Sequence, residues 1–88
     1  EGVDHYNACY GGTATLFAAV DWANGPSWDG RWAVVVASDI ADGPEGYEFL
    51  TGAAAVAMLI GPNPVLRVES KRVSWMMDRW DFWKPVGW

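Results

Sequence analysis

Apolar side chains return at helical intervals in the first third of the chain: Ala19, Val20 and Ala23 follow Leu16 by three, four and seven positions and form one face. Asn24, Gly25 and Pro26 end the stretch, because glycine takes the left-handed conformation that closes helices and proline cannot extend one. The pattern then changes. After Asp29 and Gly30, "RWAVVVASDIA" is almost unbroken apolar sequence rich in valine, which predicts a strand covered on both faces, as in a parallel sheet. A loop from Asp42 to Tyr47 is punctuated by Gly43, Pro44 and Gly46. "TGAAAVAMLIG" is ambiguous by period, since its alanines favour helix and its Val56 to Ile60 end favours strand; it is read as a strand. "GPNP" makes a turn, and the alternation in "VLRVE" predicts the return strand of a hairpin. Residues 1 to 8 fit the end of a strand running into a turn. The tail "SWMMDRWDFWKPVGW" has no clean period and room for a short helical turn before Pro85. No repeat or linker divides the chain, so residues 1–88 read as a single segment.

Composition sharpens this picture. A chain of 88 residues forms one small domain at most and buries only about two-thirds of its unfolded surface. Yet 51% of the residues are hydrophobic and seven are tryptophan, more apolar material than so small a body hides unaided. The net charge of −5 argues against a nucleic-acid surface, and Arg67, Lys71 and Arg72 read as a solvated basic face. One cysteine excludes an internal disulfide framework and fits a reducing compartment. Cys9 and His5 alone do not make a zinc site, so no metal is expected. No stretch approaches the roughly 18 apolar residues of a membrane helix, and the start has no basic leader, so no membrane is expected either. The opening at Glu1 and the ending at Trp88 suggest an excerpt of a longer protein.

The lone thiol stands in "NACYGGT", ahead of the helical pattern. Cys9 is open to two readings: a small buried hydrophobe, or a nucleophile at a helix N-terminus, where unpaired N–H groups and the helix dipole favour the thiolate. Gly11 and Gly12 are open to two as well. Glycine in a helix costs about 1 kcal/mol relative to alanine, so the pair serves either the close approach of a substrate thioester to Cys9 or tight packing of the first turn on another backbone. His5 is not taken as a base for Cys9, because neighbours on one turn rarely meet the geometry that proton transfer demands.

"GVDHYNACYGGTATLF", "SWDGRWAVVVASDIA", "AAAVAMLIGPN" and "WDFWKP", in this order and nearly this spacing, resemble the hydroxymethylglutaryl-CoA synthases of the thiolase superfamily over essentially the whole chain. The resemblance implies an α/β chain that is part of a thiolase-like layered fold: strand, buried nucleophile helix, strand, then hairpin. It implies an acyltransferase whose cysteine, here Cys9, takes an acetyl group from acetyl-CoA. The acetyl carbanion then adds to acetoacetyl-CoA, and hydrolysis releases hydroxymethylglutaryl-CoA for mevalonate formation. No cofactor is implied beyond these substrates. The implied partners are acyl-CoA and the remainder of the thiolase-like chain, in a homodimer; the implied location is the cytoplasm, with mitochondria left open.

By the same resemblance, Asp39 in "SDIA" and Asp81 in "WDFW" match aspartates that organise the active site. Asn7 and Tyr10 flank the thiol and shape its pocket, and Gly11 and Gly12 leave backbone open to the substrate. Thr51 stands near the position of a substrate-contacting threonine. There the sequence departs from the family: "EFLTGAAA" replaces an Arg-Pro-Thr-Gly-Gly loop and is one residue shorter, which puts the contact at Thr51 in question. Tryptophans at 32, 75, 80 and 83 replace mostly smaller or more polar residues. The family's general acid/base glutamate and histidine have no counterpart in these 88 residues, so the chain alone is expected to be inactive in the full condensation. A carrier-protein-dependent synthase of the same superfamily and a non-catalytic aromatic interaction module are the alternatives.

The apolar surfaces of "AVVVAS" and "AAAVAMLI" exceed what these residues can cover, and exposed apolar area beyond a few hundred Å2 drives association. The chain on its own is therefore expected to associate or aggregate, with loose packing around its tryptophans. Sedimentation velocity with tryptophan emission checks this; a monodisperse monomer with blue-shifted emission and cooperative unfolding is the contrary result.

Overall fold

A computed structural model describes residues 1–79. A 3-10 turn at Ala8–Tyr10 leads into helix α1, Gly11–Ala23; strand β1, Ala33–Ala41, follows, then a second 3-10 turn at Glu48–Leu50 and strand β2, Gly52–Ile60. The class is mixed α/β, with one helix on a two-stranded antiparallel sheet.

Helix α1 ends where the stop signal predicts. Asn24 donates both its backbone N–H (3.0 Å) and its side-chain amide (3.1 Å) to the Val20 carbonyl, and the Gly25 N–H reaches Trp22 O at 3.0 Å. Its N-terminus has no side-chain cap, and neither its first turn nor its last carries a charge that complements the helix dipole. A 13-residue helix so lightly supported is marginal by itself and depends on what it packs against. That support is the sheet. Val20 on the helix and Val35 on β1 are the two buried hydrophobic residues among those described, 7% and 2% exposed. A Cβ added at Gly12 would stand 3.2 Å from the Ala37 Cβ, so helix backbone and strand approach closely there.

The strands pair from Ala33 opposite Ile60 to Ala41 opposite Gly52. Directly opposed residues share a face. Val35, Met58, Ala37, Val56, Asp39 and Ala54 therefore line the face that α1 covers, and Val34, Leu59, Val36 and Ile40 stand on the other, exposed. Continuing the register by one residue sets Trp32 opposite Gly61, and any Cβ at Gly61 would fall inside the Trp32 indole. The ring lies where that glycine has no side chain.

Four expectations are corrected here. β1 is not a two-face-covered strand of a parallel sheet: the connection through residues 42–51 carries only a 3-10 turn, and parallel pairing needs a longer crossover of a dozen or more residues. "VLRVE" is not a return strand. Pro62 and Pro64 fix their own φ, Pro64 has no N–H to close a tight turn, and Val65 and Leu66 stand exposed without a ladder partner. Residues 1–7 form no strand, so a strand, a helix, a strand and then a hairpin is not the observed order; β1 and β2 are themselves the antiparallel pair. Nor is α1 a buried helix, since Val20 is its one buried residue. The tail helical turn falls largely on residues outside those described.

The chain is extended for its length. Its radius of gyration is 16.8 Å, against about 12 Å for a compact chain of this size.

Two predictions come from these contacts. Gly11 has open space around its Cβ position and helical backbone (φ −54°, ψ −47°), so Gly11→Ala is expected to stabilise α1 by up to about 1 kcal/mol. Gly12→Val is expected to push α1 off Ala37 at a cost of about 1–3 kcal/mol. Far-UV circular dichroism against urea separates the two. In the turn before β1, Gly30 (φ 89°) lets Arg31 fold back on Asp29: Arg31 Nε and its backbone N–H donate to the carboxylate at 2.8 and 3.1 Å. The Arg31 guanidinium, then its N–H, hold the Asp29 carboxyl below the ordinary carboxylate range. The folded form thus gains stability that is present above the unfolded carboxylate value and lost as pH falls through the lower folded one. Carboxyl NMR titration is expected to show the Asp29 midpoint moving up toward the ordinary range in Arg31→Gln.

Candidate active site

The thiol is carried by the turn, not by the helix. Cys9 lies in the middle of the Ala8–Tyr10 turn, exposed to solvent, and α1 begins two residues later. The turn is closed by the Tyr10 N–H donating to Asn7 O at 2.9 Å and by the Gly11 N–H donating to Ala8 O. Two backbone conformations bring it about. Asn7 has φ −163° and ψ 58°, and Ala8 has φ 44°, a left-handed conformation that costs an L-residue roughly 1–2 kcal/mol. Local sequence carries no mark of that strain, since nothing sets Ala8 apart from an ordinary alanine.

Exposure decides against the reading of Cys9 as a buried hydrophobe. The glycine pair divides. Gly12 meets Ala37 and serves helix–sheet packing, whereas Gly11 faces open space and leaves the approach along the start of the helix unobstructed. The first N–H groups of a helix have no intrahelical acceptor; in α1 that of Gly11 is taken by Ala8 O, and those after it follow within a few residues of Cys9. Thr15 donates its hydroxyl to Gly11 O at 2.8 Å and so fastens the first turn from within.

Tyr10 is half exposed and Asn7 exposed, both on the turn with Cys9. Asp39 is exposed on β1, opposite Ala54. It stands on the α1 side of the sheet, one pleat beyond the Ala37 that Gly12 touches, which puts the carboxylate toward the loop end of the sheet. Ser38, Asp39 and Ile40 form an open groove there with Ala53, Ala54 and Ala55. Thr51 is held in the β1–β2 loop: its hydroxyl donates to Glu48 O at 2.7 Å, its N–H to the same carbonyl at 3.0 Å, and its methyl lies against Gly43. The Glu48 carboxylate accepts the Gly46 N–H at 3.0 Å, a bond that holds it below the ordinary carboxylate range. His5 is exposed in the irregular N-terminal stretch, and Asp81 lies outside the described residues.

Asn7, Cys9, Tyr10, Gly11 and Gly12 stand together at one end of α1 as chain neighbours, whereas Asp39 is exposed on β1 and is not brought against the Ala8–Tyr10 turn. Thr51 belongs to the loop and spends its hydroxyl there. Among the described residues, no group of three or more His, Cys, Asp and Glu side chains converges as a metal site would, and no helix is long and apolar enough to cross a membrane.

Residues 1–65 match the family described as hydroxymethylglutaryl-coenzyme A synthase N terminal. Among curated proteins, the chain is 54% identical over 86 residues to the hydroxymethylglutaryl-CoA synthase of Mycosarcoma maydis, covering 97% of this chain and 19% of that protein. It is 54% identical to the mitochondrial hydroxymethylglutaryl-CoA synthase of Homo sapiens and 53% identical to the cytoplasmic one of Rattus norvegicus, each over 87 residues and 17% of the relative's length. The chain thus spans less than one-fifth of the length of these relatives. With a family match over residues 1–65 and identity above one-half across nearly the whole sequence, the chain belongs to the hydroxymethylglutaryl-CoA synthase family.

Proposed function

We propose that Cys9 is the acyl-accepting nucleophile of an enzyme that condenses acetyl-CoA with acetoacetyl-CoA to give hydroxymethylglutaryl-CoA, the step that leads to mevalonate. The observation that carries this reading is the placement of the single thiol: exposed, on a turn held by a left-handed Ala8, directly ahead of a helix whose first residue leaves open space. Family membership supplies the reaction class.

The first step follows from that placement. The Cys9 thiolate adds to the carbonyl of acetyl-CoA, and the C–S bond to CoA breaks as the CoA thiolate leaves, so one thioester replaces another. The negative oxygen of the tetrahedral intermediate needs hydrogen-bond donors, and the N–H groups at the start of α1 are the nearest candidates in the chain. A thioester, unlike an oxygen ester, keeps the methyl protons acidic enough for a base to remove in the next step. That base and the acid that protonates the new alkoxide are assigned to the rest of a longer polypeptide, since the relatives are more than five times this length. The same polypeptide, in a thiolase-like layering, would cover the exposed face of Val34, Val36, Ile40 and Leu59. Asp39, and Asp81 farther along, are proposed to orient groups at the mouth of the site; Asn7 and Tyr10 form its wall.

Incubation of the chain with acetyl-CoA is expected to give a mass gain of about 42 Da on the peptide containing Cys9, one acetyl group for one hydrogen, labile to hydroxylamine and lost in Cys9→Ser at neutral pH. Asp39→Asn is expected to slow the transfer by roughly tenfold or more through a misplaced site. Faster transfer from an acetylated carrier protein than from acetyl-CoA would favour the carrier-dependent reading, which the exposed Phe49 and Leu50 of the altered loop would then serve. No adduct from either donor would leave the aromatic interaction module.

A further inference from the structure

Among the described residues, the segment after β2, 61–79, has no helix or strand, and its apolar residues Val65, Leu66 and Val73 are almost fully exposed. A cation in it reaches back to the helix. Arg72, only 27% exposed at its side chain, lays its guanidinium over the ring of Phe17, 4.3 Å from the centroid, and pairs through an N–H with the Asp21 carboxylate. Phe17 and Asp21 are one helical turn apart on α1. At 100° per residue they lie about 140° and 180° around the axis from Gly12, which touches the sheet. The helix is therefore gripped from opposite sides, by β1 at Gly12 and by Arg72 at Phe17 and Asp21.

We propose that Arg72 is a positioning residue: it fastens the returning segment across the outer side of α1 and steadies the helix that begins just after Cys9. Its bearing on Cys9 rests on the reading of that thiol as the nucleophile. Helix formation is cooperative, so a grip on the middle and last turns also holds the first. A helix with no N-cap side chain and one buried residue needs such a grip more than most. The geometry calls for arginine in particular, since a planar guanidinium can stack on a ring and still donate sideways to a carboxylate, whereas an ammonium cannot do both.

Amide hydrogen exchange of the 88-residue chain, read by mass on peptides from α1 and from residues 70–79, tests the grip in any association state. Arg72→Gln is expected to speed exchange across α1 by about fivefold or more, with Arg72→Lys falling between the two. Phe17→Leu keeps the apolar volume and removes the ring; it is expected to speed exchange when Arg72 is present and to add little in the Arg72→Gln background. Acetyl transfer from acetyl-CoA to Cys9 is expected to slow in Arg72→Gln and to recover in part in Arg72→Lys. Unchanged exchange in Arg72→Gln, or an equal effect of Phe17→Leu in both backgrounds, overturns the grip. Altered exchange with an unaltered transfer rate overturns its role at Cys9. If the unmodified chain takes no acetyl group, the nucleophile reading and that role fall together, while the exchange data still decide whether Arg72 holds the helix.

Discussion

The close approach of α1 to β1 at Gly12 and Ala37 is the contact on which the rest of the arrangement depends. Two of the smallest residues let helix backbone and strand come together, with less than 3.4 Å to spare for any added Cβ. That contact fixes the height of the helix start above the sheet. Asp39 emerges on the same side of the sheet one pleat beyond Ala37, toward the loop end of β1. A bulkier pair would lift the helix from the sheet, although neither Gly12 nor Ala37 has any chemistry of its own. Distance between helix and sheet is here a matter of missing methyl groups.

Much of this is legible in the sequence where the information is local. The period of Leu16, Ala19, Val20 and Ala23 and the Asn24-Gly25-Pro26 stop mark α1 to its last residue, because helix ends are written in backbone conformations that few residues favour. Both strands were readable from their apolar runs. Their partnership was not: a valine run says that a strand is covered, not by what, and "VLRVE" alternates as a strand does while having no edge to join. At the site, the glycine pair announces a special first turn, but only the register of helix on sheet tells packing Gly12 from open Gly11. The left-handed Ala8 and the Arg72 contacts with Phe17 and Asp21 leave no local trace at all, the latter because its partners are 51 residues apart.

Charge is used sparingly and close to the surface. Asp29 with Arg31 closes the turn into β1, Glu48 holds Gly46 in the next loop, and Arg72 meets Asp21 on the helix. None is buried, so each guides the path of the chain more than it stabilises the fold, and the apolar contacts around Val20 and Val35 remain the main source of cohesion. With so few residues buried, most of the apolar side chains among the described residues face outward. The family's much longer polypeptide is the natural context for such a segment.

The composition of the two strands has a consequence for how they find their alignment. Alternation of polar and apolar residues ordinarily punishes a slip of one position by turning the wrong side chains to the core. Here both faces are built from alanine, valine and other apolar residues, and Ser38 and Asp39 are the sole polar residues in either strand. A one-residue slip would exchange one apolar face for another at little cost in burial. Correct alignment then falls to the end of the hairpin: Trp32 fits only above a residue without a side chain, which is Gly61 and neither Ile60 nor Pro62. A single indole over a single glycine thus acts as the reading-frame mark of the hairpin, and its loss would yield not an unfolded strand pair but a misaligned one.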